Sequence, residues 1–127
     1  MIDSTFLITG ALLLIFDFMY LSLIKGYFTK QIVIVQGSDV QPNLIAIAIC
    51  YLFLIFGINY FIIKPRRSVL DAFLLGLVIY SVYETTNKAL ITKWSWITVF
   101  TDSLWGGILF ALTTCVFYRL EMVSKYF

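Results

Sequence analysis

Four apolar runs, each long enough to cross a membrane as a helix, constrain the fold of this chain more than any other feature of its sequence. A helix rises about 1.5 Å per residue, so about 20 apolar residues cross a hydrocarbon layer roughly 30 Å thick. The runs are continuous, whereas the strands of a membrane barrel alternate over about ten residues. The sequence therefore predicts an all-α integral membrane protein, a four-transmembrane-helix bundle in a single domain (residues 1–127), with spans at about 5–24, 43–63, 69–90 and 97–118.

Composition excludes several classes of function. Hydrophobic residues make up 61% of the chain and charged residues 13%, which is too apolar for a soluble domain. A net charge of +2 without a basic tail argues against nucleic acid, so we expect membrane lipid as the partner. The chain has no histidine, which excludes His-dependent nucleophilic triads and His-ligated haem. We expect no cofactor.

The connections between the runs are unequal in length. A basic turn at 64–68 joins the second and third runs, and a link at 92–96 places Trp94 and Trp96 where the headgroup boundary is expected. The longest connection, 25–42, carries large apolar residues at roughly helical spacing before Gly37. This pattern predicts an amphipathic interfacial helix between helices 1 and 2.

Orientation follows from counting the cations on each side. Five lie on the side of the termini and four on the other: Lys64, Arg66, Arg67, Arg119 and Lys125 against Lys25, Lys30, Lys88 and Lys93. The positive-inside rule then places both termini in the cytoplasm. Which membrane holds the protein does not follow from the sequence.

Three carboxylic acids fall at one depth of the predicted bundle. Counted along each span from the side opposite the termini, Asp17 lies about 10 Å deep, Glu84 about 9 Å and Asp102 about 8 Å. Tyr51 comes to about 12 Å by the same count. We call Asp17, Glu84 and Asp102 the acidic layer.

Helical spacing surrounds this layer with polar and aromatic side chains. On the third helix, Glu84 belongs to a stripe at i, i+3, i+4 and i+7. On the fourth, Asp102 shares a face with an indole and a glycine, and on the first, Asp17 is followed by a tyrosine at i+3. The candidate supporting residues are Tyr20, Tyr51, Tyr80, Tyr83, Asn87, Lys88 and Trp105.

Acids inside a membrane are costly, at about 2.5 kcal/mol or more each, and usually face the bundle interior or water. Several in one site repel each other, which favours a held proton unless Lys88 or a bound cation compensates. The acidic layer is thus a candidate site for a proton, a cation or a polar ligand; whether a metal binds stays open. Two structural alternatives are an ordinary i, i+4 ion pair between Glu84 and Lys88, and hydrogen bonds that only tie helices together.

A family resemblance rests on the segment from Tyr83 to Gly106, YETTNKALITKWSWITVFTDSLWG. It resembles the pattern of domain-of-unknown-function family 2177: Tyr-Asp-x-Thr-Asn, a short Trp-containing link, then Asp-x-x-Trp-Gly. Glu84 stands where the family usually has Asp, and the proline that usually follows the link tryptophan is absent. DFMYL, residues 17–21, is similar to the family's Asp-x-x-Trp-Leu, with Tyr20 in the aromatic place.

The resemblance implies four spans and, by the family's name, no established activity; similar proteins occur in bacteria and in some large DNA viruses. Three functions remain open. The first is proton or cation transport through the acidic layer, best accommodated by a homo-oligomer or a narrow water wire. The second is a structural role in a cellular or viral membrane, without catalysis. The third is lipid binding or lipid modification. Because the sequence shows no pair of a nucleophile and a base, we do not favour an enzyme.

Overall fold

The computed structural model describes residues 4–38 and 42–125, and helices account for nearly all of them. Four helices follow one another: α1 (Ser4–Gln36), α2 (Leu44–Ile58, continued by a π-helical turn Asn59–Ile63), α3 (Val69–Leu90) and α4 (Trp96–Ser124). All four are long and apolar enough to cross a membrane, counting α2 together with its π turn. The structure therefore confirms the four-helix membrane bundle.

Helix α1 is longer than the first apolar run. Its 33 residues extend over roughly 50 Å, so residues 25–36 continue the same helix instead of forming a separate interfacial one. The reason is a contact remote in sequence: Gln31, which is buried, donates to the Lys93 carbonyl at 2.9 Å and accepts from the Ser95 amide at 3.2 Å. The α1 extension thus packs on the α3–α4 link. It ends, as expected, at Gly37, whose φ of 72° stops the helix.

Side-chain caps fix where the other helices begin. The Asn43 side chain accepts from the Ala46 amide, Ser68 from the Asp71 amide, and Ser95 from the Ile97 amide at 3.0 Å. Each satisfies an amide that has no partner in the first turn of a helix. The observed bounds of α3 coincide with the predicted span 69–90.

Glycines bring α3 and α4 into the closest contact of the bundle. A Cβ atom on Gly76 would overlap the Gly106 carbonyl oxygen, and one on Gly106 would overlap the Tyr80 ring. A Cβ on Gly107 would lie 2.7 Å from the Phe73 ring. Small residues that let backbones approach in this way are typical of helix pairs in membranes.

The apolar core lies on the terminus side of the acidic layer. Leu13 of α1, Ile58 of α2, and Leu109 and Phe110 of α4 have no exposed surface. Leu13 is one turn from Asp17, and Leu109 is one turn from Trp105, so the core directly underlies the layer. The bundle is therefore polar toward the link end and tightly apolar in its middle.

The contact between the α1 extension and the link leads to a first prediction. Replacing Gln31 by leucine should lower the free energy of unfolding by about 1–3 kcal/mol, because the Ser95 amide loses its acceptor at a part-buried position. Lys30→Leu, an adjacent substitution at an exposed position, is the control. Unfolding in mixed micelles, followed by circular dichroism, measures the difference. Equal stability of the two variants would show that the Gln31 contacts do not hold the extension in place.

Candidate functional site

Asp17 joins three helices through its two carboxylate oxygens. Tyr51 of α2 donates its hydroxyl to Oδ2, and Trp105 of α4 donates its indole Nε1 to Oδ1 at 2.9 Å. The residue as a whole is 6% exposed. Both oxygens of this buried acid are therefore satisfied by neutral donors.

Asp102 lies beside Asp17 and is linked to it through two stacked rings. Tyr20 donates to Asp102 Oδ1 at 3.5 Å, and its ring stacks on Trp105 with centroids 4.4 Å apart and planes 7° apart. Within this stack, Tyr20 thus donates to Asp102 and Trp105 donates to Asp17. The stack fixes the two acids of α1 and α4 relative to each other.

Among the acids in the described part of the chain, Glu84 is the most enclosed, with no exposed surface. Its Oε1 accepts a hydrogen bond from Trp94 Nε1 at 2.7 Å, whereas no amide, hydroxyl or indole group donates to its buried Oε2. The Asp102 carboxyl is hydrogen-bonded to Glu84 and also interacts electrostatically with Asp17. Buried polar atoms are normally satisfied, so an Oε2 without such a donor is an exception that calls for a proton or a ligand.

No cation offsets these acids within residues 4–38 and 42–125. The ion pairs there join Arg66 to Glu121 and Arg67 to Asp71, at the other end of the bundle. Lys88 turns away from Glu84: its Nζ donates to the Thr92 carbonyl at 3.2 Å and lies 5.5 Å from the Trp96 ring. The i, i+4 ion pair that the sequence allowed is therefore not formed.

The structure brings most of the predicted residues together. Of the remaining supporting residues, Tyr80 packs its ring on Gly106, and Asn87 is half-buried one turn beyond Glu84. Tyr83 is 55% exposed and lies on the outer face of α3. The acids and aromatic residues joined in the cluster are Asp17, Tyr20, Tyr51, Glu84, Asp102 and Trp105.

Two residues of the site were not among the predicted ones. Trp94, which was expected at the headgroup boundary, is 5% exposed and donates a hydrogen bond to Glu84, whereas Trp96 is 57% exposed. Ser103, next to Asp102, is 8% exposed and its hydroxyl has no partner. The one available signal was the position of Trp94 inside the quoted family motif, since spacing alone could not tell which indole turns inward.

This geometry limits the chemistry of the site. The described residues contain no group of three or more acids or cysteines placed to hold a metal ion. Cys50 and Cys115 are both free thiols. What the arrangement offers is two adjacent buried carboxyl groups, whose burial and mutual repulsion favour a held proton.

Comparison with known proteins supports the assignment from the motif. A family model described as Predicted membrane protein (DUF2177) matches residues 2–119, which includes every residue of the acidic layer and Trp94. No curated protein and no solved structure matches the chain. The chain belongs to the DUF2177 family of predicted membrane proteins.

Proposed function

We propose that this protein moves protons within the membrane and that the carboxyl pair Glu84–Asp102 is the group that binds and releases them. The observation that carries the proposal is the wholly buried Glu84, whose Oε2 has no amide, hydroxyl or indole donor, beside a second acid. Two like charges side by side in a low-dielectric interior repel strongly. A single proton on the pair removes that repulsion and gives Oε2 a partner.

A proton fits this site better than a metal cation. Hard cations take six or more oxygen ligands or keep several waters, and the described residues hold no suitable ligand group. The donors that reach Asp17 and Glu84 are indoles and a phenol. An indole N–H has no lone pair to offer, and the phenol uses its hydrogen toward Asp17, so neither adds a metal ligand to the carboxyl oxygens.

A chain of polar side chains leads from the acidic layer toward the link. Thr98 is one turn before Asp102 on α4, and its hydroxyl donates to Tyr27 at 3.2 Å. Tyr27 in turn donates to Ser95 at 3.1 Å, at an exposed position. Hydroxyl groups both donate and accept, so this row supports passage of a proton between the surface and Thr98, one turn from Asp102.

The test is proton flux into liposomes that contain the purified protein, with Glu84→Gln as the variant. We expect flux under a pH gradient to fall at least tenfold, since an amide keeps the shape and cannot release a proton. Asp71→Asn is the matched control, because this acid is on the same helix, exposed and outside the layer. Equal flux in both variants, or none in the wild type with the protein folded and inserted, would overturn the proposal.

A purely structural role is the second candidate, favoured by one observation. Each hydrogen bond to the acidic layer joins different helices or joins a helix to the link, as with Tyr51 to Asp17 or Trp94 to Glu84. This candidate expects Glu84→Gln to keep every cellular function that the wild type supports. The flux measurement separates the two, because a structural role leaves no proton current to lose.

A further inference from the structure

At the opposite end of the bundle, we propose, the protein binds an anionic phospholipid, with its phosphate at Lys64 and an acyl chain in a cavity between α1, α2 and α4. The cavity has a volume of about 520 Å³, within the range of roughly 300–1,000 Å³ typical of ligand pockets. It shares no residue with the acidic layer. The proposal is thus independent of proton transport.

One wall of the cavity is aromatic and suits a hydrocarbon chain. It contains Phe117 of α4, which is 4% exposed, and the stacked pair Phe56 and Tyr60 of α2, with centroids 5.5 Å apart. Thr5 of α1 contributes to the lining across from α2. A lipid chain enters such a site from the bilayer without leaving an apolar environment.

The rim of the cavity carries a net charge of +1, from Lys64 and Arg66 against Glu121. The Arg66 guanidinium forms an ion pair with Glu121. Its Nη2 lies 2.6 Å from Oε1 and its Nη1 lies 3.1 Å from Oε2. Lys64 belongs to no ion pair among the described residues, and its Nζ lies 5.9 Å from the Tyr60 ring. One free ammonium matches one phosphate monoanion.

The position of Lys64 in the chain favours a lipid over a soluble anion. It directly follows the last π-helical residue, Ile63, and so stands where the span leaves the hydrocarbon. The π turn and the left-handed Arg66, with φ of 61°, flank this point. Such backbone irregularities are often found where a protein holds a ligand. When the headgroup phosphate binds at Lys64, the acyl chains of the lipid lie at the depth of the aromatic wall.

The experiment is a titration in neutral detergent micelles, with native mass spectrometry to count bound ligands. The probes are short-chain phosphatidylglycerol, phosphatidylcholine with the same chains, and inorganic phosphate. We expect one phosphatidylglycerol per protein, bound about tenfold more tightly than phosphatidylcholine, and Lys64→Gln should remove that preference. Lys30→Gln, an exposed lysine at the other end, should leave it unchanged.

A second variant tests the cavity itself. Thr5→Trp fills the space across from Phe56 and should weaken binding of both lipids, whereas attraction to a merely basic surface would survive it. Equal affinity for the two lipids, or phosphatidylglycerol binding that Lys64→Gln leaves intact, would overturn the proposal. Inorganic phosphate that competes at concentrations similar to those of phosphatidylglycerol would overturn the lipid as the ligand. Lys64 is exposed, so Lys64→Gln should fold and still tests the proposal if Thr5→Trp fails to fold.

Discussion

Gly76→Ala should lower the free energy of unfolding by about 3 kcal/mol, the upper part of the range for overpacked cores. The added Cβ would overlap the carbonyl oxygen of Gly106 and lie 2.9 Å from Cβ of Phe110. A backbone carbonyl cannot rotate away as a side chain can, so α3 and α4 have to separate. Because this pair is the closest in the bundle, its separation loosens the contacts that hold Tyr80 and Trp105 near the acids.

The matched control for Gly76→Ala is Gly57→Ala in α2. A Cβ atom at Gly57 meets nothing within 4 Å, and alanine favours a helix over glycine by up to about 1 kcal/mol. The control should therefore be as stable as the wild type or more stable. Unfolding in mixed micelles compares the two, and similar stabilities of the alanine variants would contradict the close packing of α3 on α4.

Trp94→Phe is the second substitution with a large expected effect. Phenylalanine fills most of the indole volume but removes the donor to Glu84 Oε1, which leaves the Asp102 carboxyl as the remaining hydrogen-bond partner of a wholly buried acid. The loss of a hydrogen bond to such a group is expected to cost about 2 kcal/mol of stability. In the proposed function it also alters proton binding, so the pH dependence of flux should shift relative to the wild type.

Trp96→Phe serves as the control two residues away. Its indole is 57% exposed and stacks on Phe100 with centroids 6.0 Å apart, a contact that phenylalanine preserves. A double-mutant cycle with Glu84→Leu then isolates the pair: once Glu84 is gone, Trp94→Phe should cost clearly less. Additive effects in the cycle would argue that Trp94 stabilises the link without help from Glu84.

The sequence predicted the fold well where the deciding forces are local. The span 69–90 was found to the residue because Ser68 caps its start and the apolar run ends at the link. The α1 extension was not predicted as part of the first helix, since apolar character fades at Lys25 and the helix is continued by Gln31 packing on Lys93 and Ser95. Contacts between residues more than 60 positions apart leave no periodic trace in the sequence.

The sequence predicts how deep the residues of the candidate site lie in the bundle, but not in which direction their side chains point. A rise of about 1.5 Å per residue suffices to place the three acids at one level. Which way a side chain turns depends on neighbours: Lys88 is one turn from Glu84, yet it extends to the Thr92 carbonyl, while Trp94 turns inward. The conformation of the link determines the orientation of both side chains, and that conformation cannot be predicted from the spacing of charged and aromatic residues.

The fully buried level formed by Leu13, Leu109 and Phe110 has a consequence for how protons would cross the membrane. It lies between the acidic layer and the side of the termini, so a proton that leaves the layer toward the termini has to pass it. A proton that moves between the link side and the acidic layer crosses only a small part of the membrane voltage. A proton that moves from the layer to the side of the termini crosses most of it, and moving one charge through the full voltage changes its energy by about 2.3 kcal/mol for each 100 mV. Transport through this bundle would then require the apolar level around Phe110 to open, and the membrane voltage would act on the proton that passes it.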